Sequence, residues 1–116
     1  MMIIKNETKD SILVDQGKLA DNFFSRLKGL LGSPPLQPGQ GLLLKNEKSV
    51  HTFFMGFSID VIYMDKKLSV IKVDEDMVPN RIGQFVGQSA YILEVPVGTI
   101  ASTRTQVGDQ VRFVNE

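Results

Sequence analysis

Three side chains suited to acid–base chemistry, His51, Asp60 and Glu94, each interrupt an apolar run that has the character of a strand. His51 is the one histidine of the chain, and imidazole is the side chain whose charge changes most readily near neutral pH. A carboxylate beside it can orient the ring, or can bind a polar ligand together with a cation. Because a buried charge is costly without a partner, we expect at least one of the two carboxylates to lie close to His51.

Two arginines are the expected cationic partners of these groups. Arg26 lies on the less apolar side of a predicted helix, and Arg81 lies in a long polar stretch. Arginine suits this role because its planar guanidinium can donate two hydrogen bonds to one carboxylate. A structural interpretation remains open beside the functional one: a structural histidine, carboxylates that form ion pairs or cap turns, and arginines that are solvated at the surface.

Few other reaction types find support in the residues present. The chain has no cysteine, which removes disulfides, thiolate nucleophiles and cysteine zinc sites. A single histidine with scattered carboxylates has no recognisable metal-ligand spacing, and no glycine-rich phosphate loop is present, so we expect no metal and no cofactor. Ser49 lies two residues from His51 on the same strand face. It stands in no GxSxG turn, so the pair indicates a serine hydrolase only weakly.

The elements that must position these residues are short strands and one main helix. Alternation and β-branched or aromatic residues predict strands over 1–5, 11–14, 41–44, 50–55, 59–64, 68–73, 90–95 and 110–114. The helix is predicted over 22–31, where Asp21 can cap the first turn and Gly32 can end the last. A short helix or turn is predicted over 97–106, and the polar stretch 74–88 is predicted to be a long exposed loop.

These elements predict an α+β fold: a β-rich, strongly curved sheet or small barrel with one main helix, forming a single domain over residues 1–116. Lys plus Arg number 13 and Asp plus Glu number 13, so the formal net charge is zero. Nothing in this balance favours nucleic acid or an anionic membrane as a partner. No stretch approaches the ~20 apolar residues of a membrane span. We expect a cytoplasmic protein, with a signal peptide removed beforehand as the alternative.

Several motifs are similar to those of one protein family. They run from about residue 20 to residue 111 and comprise Arg26-Leu-Lys-Gly-Leu-Leu-Gly32, Gly41-Leu-Leu-Leu44, Ser49-Val-His-Thr-Phe-Phe-Met55, Ile59-Asp-Val61, Pro79-Asn-Arg81, Ile92-Leu-Glu94 and Gly108-Asp109. The most specific is His-Thr-Phe-Phe-Met followed shortly by Ile-Asp-Val. On these motifs the chain resembles the uncharacterised family known as domain of unknown function 192.

The resemblance implies a compact β-rich fold and no established activity. Six polar residues match the motif positions of the family and are the candidate ligand-binding residues: Arg26, His51, Thr52, Asp60, Arg81 and Glu94. The chain departs from the pattern at Glu47, where many relatives have cysteine. The resemblance therefore supports no thiol-dependent activity in this chain.

The leading hypothesis is a binding or accessory module with a polar pocket or patch around His51, whose ligand is a small polar molecule or a peptide. The alternative is a small hydrolase that uses His51 as general base, with Asp60 or Glu94 orienting it. A third interpretation has no site, only a buried ion network inside an interaction domain. Whether the protein is an enzyme, and which oligomeric state it adopts, stay open at this point.

Overall fold

The structure is a computed structural model that describes residues 2–20, 34–53 and 55–115. Within these residues the chain forms seven strands and one short helix. Their bounds are β1 Met2–Asn6, β2 Ser11–Ala20, β3 Gln40–Lys45, β4 Ile59–Met64, β5 Val70–Met77, β6 Tyr91–Pro96, α1 Thr99–Thr103 and β7 Val111–Asn115. The helix predicted over 22–31, together with Arg26, lies outside the described residues.

The strands form one sheet in the order β5-β4-β6-β3-β2-β1-β7. Of the pairings described, β2 with β3 is parallel and the others are antiparallel. The two outermost strands, β5 and β7, come close where they begin. The Val70 N–H donates to the Asp109 carbonyl and the Val70 carbonyl accepts the Gly108 N–H, both at 2.8 Å, and the Val111 N–H donates to the Leu68 carbonyl at 2.9 Å. The sheet is therefore strongly curled, which confirms the predicted α+β fold with a curved, β-rich sheet.

An apolar cluster covers each face of the curled sheet. The inner cluster takes side chains from all seven strands and from α1. Its members include Ile4, Leu13, Leu43, Ile62, Val70, Val95, Ile100 and Val111. The outer cluster combines residues of β3, β4 and β6 with residues of the connecting loops. Its members include Leu42, Val50, Met55, Val61, Tyr63 and Ile92. β4 and β6 are thus buried on both faces, as continuous apolar runs predict.

Most predicted strands are confirmed. The strand predicted over 11–14 is longer in the structure and continues to Ala20, and the strand predicted over 50–55 is wrong. In its described part, only His51 makes a β-bridge, to Ile82. The segment belongs to the loop between β3 and β4 (residues 46–58, the β3–β4 loop), which packs on the outer cluster through Val50 and Met55. Packing of a loop, not strand pairing, accounts for its apolar pattern.

The long loop predicted over 74–88 is also partly wrong, because residues 74–77 continue β5. Asp74 pairs with Val61 and Met77 pairs with Ile59 on β4. An edge strand tolerates this polar stretch, since its backbone pairs on one side while its side chains can reach solvent. The remaining connection to β6 (residues 78–90) is named the β5–β6 loop below.

Candidate functional site

The carboxylate of Asp60 on β4 accepts hydrogen bonds from three backbone N–H groups. The residue is 1% exposed. Its Oδ1 accepts the N–H of Asp76 at 2.9 Å, and its Oδ2 accepts those of Gly98 at 3.1 Å and Ile100 at 3.0 Å. Gly98 is the N-cap residue of α1, with φ 96°, and makes no side-chain cap. Asp60 therefore caps the helix from a neighbouring strand and satisfies donors that the helix start leaves free.

Asp60 and Glu94 lie on opposite faces of the sheet. β4 and β6 pair with Asp60 opposite Val95 and with Val61 opposite Glu94. Val95 belongs to the inner cluster and Val61 to the outer one, and directly paired residues share a face. Because the sheet lies between them, the two carboxylates cannot belong to one site. Within the described residues, backbone N–H groups take the place of the cationic partner expected for Asp60.

Glu94 is buried among apolar side chains of the outer cluster. It is 5% exposed, and its direct neighbours on the adjoining strands are Leu42 and Val61. Within residues 2–20, 34–53 and 55–115, no hydrogen bond or ion pair reaches its carboxyl group. Burial raises the pKa of the Glu94 carboxyl to about 7, because apolar surroundings disfavour the charged form. Both protonation states are thus accessible near neutral pH, as they are in many functional carboxyls.

Tyr63 brings a second buried titratable group to the outer face. Its hydroxyl donates to Asp74 Oδ2 at 3.4 Å, and Lys72 Nζ lies 3.1 Å from Asp74 Oδ1. Burial, followed by the charge and hydrogen bond of Asp74 and by the charge of Glu94, raises the pKa of the Tyr63 hydroxyl above its ordinary range. The hydroxyl therefore remains protonated and acts as a hydrogen-bond donor.

The β5–β6 loop packs directly on Tyr63 at Gly83. A Cβ atom at position 83 would lie 2.8 Å from Tyr63 Oη and 3.2 Å from the Val50 carbonyl oxygen. The Gly83 N–H donates to that carbonyl at 2.8 Å, and the Ser49 hydroxyl donates to the Gly83 carbonyl at 3.2 Å. Glycine permits this close approach, so the loop covers the face of the sheet that carries Tyr63 and Glu94.

Thr52 links the β3–β4 loop to the β5–β6 loop. Its buried hydroxyl donates to the Val78 carbonyl at 2.6 Å and accepts the Arg81 N–H at 2.9 Å. Its backbone N–H donates to the Arg81 carbonyl at 2.9 Å, and its carbonyl accepts the Asn80 N–H at 3.0 Å. Through these hydrogen bonds the buried Thr52 fixes the relative position of the two loops.

His51 and Arg81 lie at the surface of the linked loops, whereas His51 was expected to be buried. The His51 ring contacts Phe53, with ring centroids 5.5 Å apart and planes inclined by 32°. His51 and Arg81 are both exposed. The Arg81 guanidinium makes no ion pair with another residue of the described ranges. The difference arises because residue 51 pairs with a loop and not with a strand inside the sheet, which leaves its side chain open to solvent.

Large apolar side chains are exposed on the same two loops. Phe85 is 75% exposed and Ile82 is 71% exposed, while Val78 and Phe53 are about one-third exposed. Ile82 and Phe85 were not among the residues predicted for the site. Their signal is present nevertheless, since each is a large apolar residue inside a stretch otherwise typical of a solvated loop.

The structure thus brings His51, Thr52 and Arg81 into one pair of linked loops, above the face of the sheet that carries Glu94. It separates Asp60 from them on the other face. No group of three or more His, Asp or Glu side chains within the described ranges is placed to hold a metal ion. The described part of the chain also has no helix of the length and hydropathy needed to cross a membrane.

Comparisons with known proteins identify the family. The model of domain of unknown function 192, described as an uncharacterized ACR family, matches residues 3–113. A UPF0127 protein of Thermococcus sibiricus is 34% identical over 110 residues, which cover 91% of this chain and 71% of that protein. The chain belongs to the domain of unknown function 192 family, as its motifs predict.

Two solved structures share the fold. A Novosphingobium aromaticivorans protein of unknown function superposes with a TM-score of 0.81 at 18% identity, covering 96% of this chain and 82% of that one. A candidate transcription regulator of Sinorhizobium meliloti superposes with a TM-score of 0.78 at 18% identity, covering 97% and 91% of the two chains. At this identity the likeness establishes the common fold alone.

Proposed function

We propose that this protein is a binding or accessory module that captures an extended peptide segment on the surface of the two linked loops. The observation that carries the proposal is the exposure of Ile82 and Phe85, at 71% and 75%, on loops that Thr52 holds in place. Exposed apolar groups on a fixed framework are typical of interaction surfaces. Ordinary flexible loops present polar residues instead.

The residue types on this surface suit a peptide that carries an apolar side chain and a carboxylate. Phe53 contacts the His51 ring and supplies an aromatic group. Arg81 is exposed on the adjoining loop, and its guanidinium forms no ion pair with the residues that the structure describes. Aromatic residues and arginine are the types that contribute most binding energy at interfaces. A peptide with an apolar side chain and a nearby carboxylate would meet both, because arginine binds carboxylates through two parallel hydrogen bonds.

The hydrolase alternative is less well supported by the same geometry. The Asp60 carboxylate accepts three backbone hydrogen bonds and lies on the face of the inner cluster. It is therefore not placed to orient His51. The Ser49 hydroxyl donates to the Gly83 carbonyl, whereas a nucleophilic serine must donate to its base. No contact observed in the described residues favours a triad over a binding surface.

Selection from a random peptide library displayed on phage tests the proposal. We expect enriched peptides to combine an apolar residue with an acidic residue or a terminal carboxylate. A synthetic peptide of the enriched sequence should lose about tenfold or more in affinity for Phe85→Ser and for Arg81→Gln, measured by calorimetry, since truncation of a hot-spot residue costs about 2 kcal/mol or more and about 1.4 kcal/mol is tenfold.

Ile12→Ser is the matched control, because Ile12 is an exposed apolar residue on β2 (56% exposed). Binding of the selected peptide to this variant should equal that of the parent protein. Peptides that lose equal affinity for the Ile12 and Phe85 variants, or a selection without enrichment, would rule out the loop surface as a peptide site.

A further inference from the structure

A groove of about 650 Å³ opens beside the linked loops, where three segments meet. These are Asn46 and Lys48 of the β3–β4 loop, the turn at residues 65–67 between β4 and β5, and residues 87–90 before β6. The volume lies within the range of small-molecule sites, roughly 300–1,000 Å³. The groove is too small for a folded partner and has the dimensions of a ligand site.

The charges of the groove are predominantly positive. Lys48, Lys66 and Lys67 line it with one acidic residue, Asp65, for a formal charge of +2. The Asp65 carboxylate forms hydrogen bonds within the β4–β5 turn, where its Oδ1 accepts the N–H groups of Lys67 at 2.9 Å and Ser69 at 3.0 Å. None of the three lysines forms an ion pair with any residue that the structure describes. Since the whole chain is neutral, this concentration of positive charge is a local property.

Lys48 is held in a defined position on the groove wall. Its ammonium group donates to the Gly87 carbonyl at 2.8 Å and to the Ser89 carbonyl at 2.9 Å. An ammonium group has three N–H donors, so one donor remains for a ligand. A lysine fixed by two carbonyls loses less side-chain entropy on binding than a free surface lysine does.

Hydrogen bonds also fix the walls around Lys48. The buried Ser89 hydroxyl donates to the Glu47 carbonyl at 2.8 Å, and the Val86 N–H donates to the Lys48 carbonyl at 2.7 Å. The Asn46 N–H donates to the Ala90 carbonyl at 2.8 Å. These bonds join residues 46–48 to residues 86–90, and the Ala90 N–H donates to the Met64 carbonyl at 2.8 Å, at the end of β4 that leads into the turn at 65–67. The walls are therefore connected before any ligand arrives, and preorganisation of this kind favours binding.

We propose that this groove binds a small dianion through the Lys48 ammonium group, with Lys66 and Lys67 supplying charge from the opposite wall. The formal charge of the lining is matched by two negative charges on the ligand. Oxygen acceptors would also meet the amide groups of Asn46 and Gln88, which line the same space. A phosphate monoester and a dicarboxylate both have this chemistry, and the experiment separates them.

Titration of the ¹⁵N-labelled protein with phenyl phosphate and, separately, with succinate tests the proposal. We expect saturable shifts of the amide signals of residues 46–48, 65–67 and 87–90 with at least one of the two. The stronger of the two identifies the ligand class. Succinamide, which is neutral and similar in shape to succinate, should leave these signals unchanged. Added sodium chloride should weaken binding, because salt screens exposed charges.

Lys48→Gln should weaken binding about tenfold or more, since hydrogen bonds to charged groups are among the stronger ones. The double variant Lys66→Gln/Lys67→Gln should weaken it too and leaves the Lys48 contacts intact, which covers the case of a Lys48 variant that does not fold. Lys5→Gln is the control, because Lys5 is an exposed lysine on β1 that does not line the groove. Absence of saturable shifts with both anions, equal response to succinamide, or equal loss in the Lys5 variant would overturn the proposal.

Discussion

Asp60 and Glu94 occupy neighbouring strands and are almost equally buried, at 1% and 5% exposure, yet their surroundings are opposite in kind. Asp60 accepts three backbone hydrogen bonds. Glu94 lies between Leu42 and Val61 and receives no such bond within the described residues. The comparison shows that burial alone does not assign a role to a carboxylate, because the donors around it decide whether its charge is stabilised.

The two residues therefore contribute differently to the molecule. The Asp60 carboxylate connects β4 to β5 and to α1 through N–H groups 16 to 40 residues away, so it holds these elements together. The Glu94 carboxyl lies below the linked loops with a pKa raised to about 7. At this pKa the charge of the Glu94 carboxyl changes close to neutral pH.

The largest effect is expected for Asp60→Asn. The amide that replaces one carboxylate oxygen is itself a donor and would face backbone N–H groups, so we expect a loss on the order of 4 kcal/mol in the free energy of unfolding. Glu47→Gln, in a polar loop, should cost roughly 0–1 kcal/mol. Urea midpoints of the two variants measure the difference. Equal and small losses would show that the three hydrogen bonds of Asp60 contribute little.

An intermediate effect, dependent on pH, is expected for Glu94. Its pKa is 4.5 in the reference state and about 7 in the folded protein, so between these values the folded state binds more protons than the unfolded state. Stability must then fall as pH rises, by about 3 kcal/mol between pH 4 and pH 8. Glu94→Gln should remove this contribution and should be the more stable form above pH 7.

Unfolding curves at a series of pH values test this expectation, with Glu75→Gln as the control. Glu75 is an exposed glutamate on β5, and its variant should follow the parent protein at every pH. A difference between the Glu94 variant and the parent that does not change with pH would mean that the Glu94 carboxyl is not shifted. The contrast with Asp60 would then reduce to hydrogen bonding alone.

The smallest effect is expected for Tyr63→Phe, which removes the one described hydrogen bond of the Tyr63 hydroxyl. At 3.4 Å from Asp74 Oδ2 this bond is long, and we expect a loss of about 1 kcal/mol. Tyr91→Phe is the matched control, since Tyr91 is half-buried and its ring contacts Phe113 edge-on. Thermal unfolding of both variants gives the comparison. A loss of several kcal/mol at Tyr63 would indicate that the hydroxyl supports the outer face more strongly than its geometry suggests.

Much of the fold could be predicted from local sequence. The apolar runs of β3, β4 and β6 and the turn before β7 carry their own signals, because side-chain alternation and turn residues act over a few positions. The motifs around His51 and Ile59 likewise identify the family before any coordinates are considered. The apolar residues of 50–55 gave a wrong strand, since a packed loop and a buried strand share the same composition.

The character of each site residue was decided by the tertiary structure. The sequence marks Asp60 and Glu94 alike, as acidic residues in apolar strands. The register of β4 against β6 places them on opposite faces, and a shift of one residue would exchange those faces. The donors of Asp60 and the partners of Thr52 come from positions 16 to 40 residues away along the chain. No local pattern contains that information, because the tertiary fold decides which distant backbone groups lie next to a buried side chain.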